Sequence, residues 1–130
     1  MITTKEEKSK LMRLANDAIK NNPSIYKNGK IVSESYNGQI AAFSVSVALS
    51  GIKPAVAIYY SEKSGSDVDK KVIIQLLATI YSMDKGTQID ADAFYSKIIK
   101  ATGDEEANLK RNIIKYAIAL KLAVRTFKFK

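Results

Sequence analysis

Apolar side chains recur every three to four positions along most of this chain, the spacing of one face of an α-helix. Thr3 and Glu6 are spaced as a capping box for a first helix. Leu11, Leu14, Ala15, Ala18 and Ile19 then share a face until Asn21-Asn22-Pro23 stops it. Ser24 to Lys30 reads as a polar linker with a turn at Asn28-Gly29. A second helix is expected over residues 33–50, ended by Gly51, and a third runs from the turn containing Pro54 to Tyr60. The β-branched runs Ser44–Val47 and Ala55–Tyr60 could be short strands, but their Ala-rich surroundings and the lack of hairpin chemistry favour helix.

After a loop at Ser61–Ser66, Ser66 is expected to cap a fourth helix carrying Val68, Val72, Leu76, Ile80 and Met83, with Gly86 at its end. Asp90 is suited to cap a fifth, with Phe94, Ile98 and Ala101 inward. Thr102-Gly103-Asp104-Glu105 opens the last, whose stripe is Leu109, Ile113, Tyr116, Leu120, Val124 and Phe127. The expected architecture is all-α: one domain over residues 1–130, a compact bundle of about six helices joined by short connections.

The last helix departs from an ordinary amphipathic pattern. Residues 110–130 hold seven cations and no carboxylate. Lys110, Arg111, Lys115, Lys121, Arg125 and Lys128 fall on one broad arc opposite the core stripe. Inside that arc lies a second apolar row, Ile114, Ile118 and Leu122, at i, i+4 and i+8. An apolar row rimmed by charge marks an interface, or else a helix packed on two sides. The six cations are therefore candidates for contacting a phosphate backbone, and the three apolar residues for contacting another subunit. Tyr26, between Lys20, Lys27 and Lys30, is the best-placed ring for stacking on a base.

Charge extends this picture. The formal charge of +8 is divided between the ends: residues 1–30 and 104–130 each carry seven cations and three acids, while residues 31–103 carry seven of each. Such a field suits nucleic acid or an acidic protein surface. Without histidine or cysteine, the usual catalytic triads, zinc sites and thiol nucleophiles are ruled out. Asp67 with Asp69, Asp90 with Asp92, and Asp104-Glu105-Glu106 are spaced as helix-start carboxylates rather than as a metal site. No phosphate-binding glycine loop occurs. The expectation is a protein without catalytic residues, metal, cofactor or small-molecule substrate. No apolar leader segment is visible, and Ile40–Tyr60 is broken by Gly51, Lys53 and Pro54, so no membrane span is expected. These features suit a cytoplasmic protein.

The central run Tyr36-Asn37-Gly38-Gln39-Ile40-Ala41-Ala42-Phe43-Ser44-Val45-Ser46-Val47, followed by Ser50-Gly51-Ile52-Lys53-Pro54 and Val56-Ala57-Ile58, resembles a motif of one family. It is similar to the small subunit of the Cmr complex, the RNA-targeting type III-B CRISPR effector of antiviral defence; the type III-A small subunit is a near neighbour. The chain departs from the pattern at Ile52, where leucine follows the glycine, at Ser50, where asparagine is common, and at Ser44, where many members have proline. The resemblance implies a non-catalytic building block stacked in copies along guide RNA and target RNA, beside other Cmr subunits. In this reading Tyr36, Phe43, Val47, Gly51 and Ile52 are packing residues. The competing readings are a stand-alone basic helical nucleic-acid-binding or regulatory protein and a protein–protein adaptor.

Overall fold

Helical periodicity governs the architecture. The computed structural model describes residues 4–61 and 69–129. Among them, six α-helices form a compact, mostly helical bundle: α1 (Lys5–Lys20), α2 (Ser35–Ser50), α3 (Ile52–Ser61), α4 (Lys71–Lys85), α5 (Ala91–Lys100) and α6 (Gly103–Val124). Both β-branched runs are helical, since burial of their apolar faces outweighs local strand preference.

α6 is the central element, packed against α1 and α2 and also meeting α4. Leu109, Ile113, Tyr116, Leu120 and Val124 are buried, as are Ala117, Ala119 and Ala123. The alanines widen the stripe into a face that two neighbours can approach. α2 presents Tyr36, Ile40, Phe43 and Val47, spaced by four, three and four, to the same core. Phe43 meets Tyr59 edge to face at 5.1 Å, and the Tyr59 hydroxyl donates to the Gln39 carbonyl at 3.2 Å. Ile52 is buried one residue beyond the α2–α3 corner. Gly51 makes that corner with φ of 86°, a backbone state that disfavours a side chain. A Cβ there would meet nothing, so conformation rather than space requires the glycine.

Three helix starts differ from the sequence expectation. Thr4, not Thr3, caps α1: its Oγ1 accepts from the Glu7 amide at 3.0 Å, while Thr3 lies outside the described residues. α2 starts two residues late, because the Ser33 hydroxyl accepts from the Ser35 amide and holds a local turn. α4 begins at Lys71, after Asp69 has accepted from the Lys71 amide; Ser66 and Val68 lie outside the described residues. Asp90 caps α5 as expected, accepting from the Ala93 amide at 2.8 Å.

The larger correction concerns strands. The polar linker is a hairpin, β1 (Tyr26–Lys27) and β2 (Lys30–Ile31), turned by Asn28 and Gly29 at φ of 54° and 77°. Paired positive φ values are those of the two-residue turn that matches strand twist. The last helix also stops early. The Thr126 hydroxyl donates to the Ala123 carbonyl at 2.7 Å, competing with the helical ladder, and Phe127 and Lys128 leave the helix. Lys128–Phe129 becomes β3, pairing parallel to β2. Phe127, expected in the α6 stripe, instead stands edge-on to Tyr26 at 5.3 Å.

Candidate nucleic-acid interface

The pattern of charge becomes informative once the helices are placed. α1 packs along α6, and β2 pairs with β3, so the two basic terminal segments lie side by side. The acids of α6 are confined to its first turn, where the helix dipole favours them. Glu105 reaches Lys97 at 3.4 Å and Glu106 reaches Lys53 at 3.6 Å, tying α6 to α5 and α3. The rest of α6 is left with cations alone.

The six cations singled out by the sequence do not share one fate. Lys110, Arg111 and Arg125 are exposed, and Lys121 is half-buried. Arg111 donates to the Asn108 side chain on its own helix. Lys115 is mostly covered, its Nζ 3.2 and 3.3 Å from the two carboxylate oxygens of Glu7 on α1. That lysine ties two helices together, and the sequence could not show it because Glu7 is distant in the chain. Lys128 is exposed but sits on β3, off the helical arc.

A second polar tie crosses the same seam. The Tyr116 hydroxyl donates to Asp84 on α4 at 2.6 Å, and Lys10 on α1 approaches the other carboxylate oxygen at 3.0 Å. Burial pushes the Asp84 carboxyl up, but Tyr116, Lys10 and the neighbouring Lys85 outweigh it and hold it below its ordinary value. Tyr116 is pushed well above the usual phenol range, first by burial and then by the hydrogen bond to Asp84.

The apolar row divides as well. Ile114 is half-buried and packs against the core, whereas Ile118 and Leu122 are 44% and 46% exposed. With Leu11, Met12 and Ala119 they line a shallow apolar groove of about 260 Å³ between α1 and α6, edged by Lys8 and Lys115. α1 supplies further cations, Lys5 and Arg13, along its outer face, beside the Lys10 that pairs with Asp84. Sequence reasoning noted the basic N-terminal segment but did not place it beside α6. It also missed a second exposed apolar set, Val45, Leu49 and Ile58 on α2 and α3. The i, i+4 spacing of Val45 and Leu49 was the available signal. α2 is apolar nearly all round, so the spacing does not stand out.

Tyr26 is half-buried against Phe127, which leaves less of its ring for a base. Asp92 lies 3.8 Å from Lys71 and accepts from Tyr60, and Asp67 lies outside the described residues. No cluster of metal-ligating side chains occurs among the described residues. No helix among them is long and apolar enough to cross a membrane. Comparison with family models, with curated proteins and with solved structures returns no match.

Proposed function

We propose that this chain is a non-catalytic small subunit of a type III-B CRISPR RNA-targeting effector, acting in the cytoplasm in antiviral defence. Copies stack along the guide–target RNA, beside other Cmr subunits, and touch its phosphate backbone. The observation that carries this reading is that the two basic terminal segments pack side by side, α1 along α6 and β2 beside β3, with an open apolar groove between α1 and α6. Cations there meet phosphates, and the groove around Ile118 and Leu122 receives a neighbouring subunit. The motif-like run at residues 36–58 supplies the inner face of α2 and the α2–α3 corner, a packing role in keeping with the resemblance. Phosphate contacts position a strand without reading its bases.

The test is a tagged pull-down from the native host at physiological salt, with RNA and protein identified in the eluate. A large particle containing short guide RNAs and larger partner subunits is expected. Ile118→Asp should remove the chain from that particle while leaving its helical content and melting temperature unchanged, since Ile118 is nearly half exposed. A small particle without guide RNA overturns the reading. If nucleic acid accompanies that small particle, the chain is a stand-alone nucleic-acid binder, and if only an acidic protein does, it is an adaptor.

A further inference from the structure

The small sheet has two rungs of opposite character. Tyr26, Ile31 and Phe129 are aligned across β1, β2 and β3, with Ile31 buried and the two rings partly so. The other rung is Lys27, Lys30 and Lys128, in register as direct partners and all exposed. Neighbouring strands lie about 4.8 Å apart, so the central Lys30 stands within the roughly 8 Å screening length at physiological salt of both Lys27 and Lys128. Like charges directly opposite one another across paired strands are destabilising. Elsewhere Lys10, Lys53, Lys97 and Lys115 each face a carboxylate, but among the described residues none of these three does. Arg125 caps the end of α6 three residues before Lys128, so the row stands close in the chain to an exposed cation of that helix.

We infer that Lys27, Lys30 and Lys128 form a phosphodiester-binding row that receives a single RNA strand as it leaves the α6 surface. This rests on the RNA-contacting function proposed above and adds Lys27 and Lys30, which the last-helix pattern could not include. The repulsion within the row is relieved when phosphates neutralise it. Lysine suits the task, being a flexible point charge that tolerates changes in strand path. The aromatic and aliphatic rung beneath fixes the three strands on the core, so the row is held in place before the strand arrives.

The experiment is equilibrium binding of a short oligouridylate to the full chain, followed by fluorescence anisotropy from about 50 to 200 mM salt. The triple variant Lys27→Gln, Lys30→Gln, Lys128→Gln should lower the log–log salt slope by about 2, at roughly 0.7 for each lost contact. Its loss of affinity across that salt range should be roughly 16-fold smaller than that of the unaltered chain. The arginine triple, at the same three positions, should keep the slope. Because a variant can perturb the sheet, amide shifts of residues 27–31 and 128–129 in the unaltered chain provide a second readout. They should move on titration. An unchanged slope with unmoved shifts overturns the row, and if Lys110→Gln with Arg111→Gln lowers the slope in the same assay, the RNA-contacting function stands. A chain that binds no oligouridylate at about 50 mM salt overturns the row together with direct phosphate contact. Equal binding and slope with polyglutamate overturns the assignment to RNA in favour of an acidic protein.

Discussion

Lys10 and Lys115 lie in the seam between α1, α4 and α6, where Asp84 and Glu7 face them. Lys27, Lys30 and Lys128 lie on the small sheet, where no described carboxylate comes within ion-pair distance. Both groups contribute to the same net charge, yet they do different physical work. In the seam each cation is held by an acid from another helix and helps fix how the helices sit. On the sheet each cation repels its neighbours and is free to meet an anion from outside. Counting charges along a helix does not separate the two kinds. The partner across the fold does.

Breaking the seam should have the largest effect. Asp84→Ala leaves a buried phenol and a nearby ammonium without their acceptor, and should cost about 2–3 kcal/mol in urea unfolding. Tyr116→Phe removes one hydrogen bond and keeps the packing, so about 1 kcal/mol is expected. This pair also makes stability depend on pH at both ends of the range. The Asp84 carboxyl is held below its ordinary 3.8, so its contribution is present above that pH and is lost as pH falls through its lower folded value. Tyr116 is raised above its ordinary 10.0, so its contribution is present below that pH and is lost as pH rises beyond it. Thermal unfolding across pH should show both shoulders, and Tyr116→Phe should remove the alkaline one.

Weaker changes sharpen the contrast. Glu7→Gln at the half-exposed end of the seam should cost about 0.5 kcal/mol, less at high salt. Lys30→Thr on the sheet should cost nothing, or raise stability by a few tenths of a kcal/mol, as repulsion falls and a β-branched residue enters a strand. A loss of stability at Lys30 as large as that at Asp84 would erase the distinction between the two regions.

The helices were legible because their signals are local. The α6 stripe from Leu109 to Val124, the cap at Asp90 and the stops at Gly51 and Gly86 all stand within a few residues of the structure they specify. The strands were not, because two residues carry no measurable alternation and β3 exists only through its pairing with β2. Asn28-Gly29 announced a turn, but nothing nearby announced the hairpin around it. The site was legible to the extent that it lies on one helix. Lys115 changed meaning when Glu7 arrived from α1, Lys128 when the helix ended at Val124, and Ile114 when the core reached it. The Lys115 correction comes from a contact remote in sequence, and that at Lys128 from a local turn at Thr126 joined to the distant pairing of β3 with β2.

The parallel pairing of Lys30 with Lys128 also sets an order of events. Joining segments about three-quarters of the chain length apart carries a loop-closure penalty before any contact compensates it, and two-residue strands offer little in return. Closure therefore waits until α6 has docked on α1 and brought its end alongside the hairpin. In refolding the helical core should therefore mature first and the cationic row last, with amide protection at residues 30–31 and 128–129 expected to appear after that of α6.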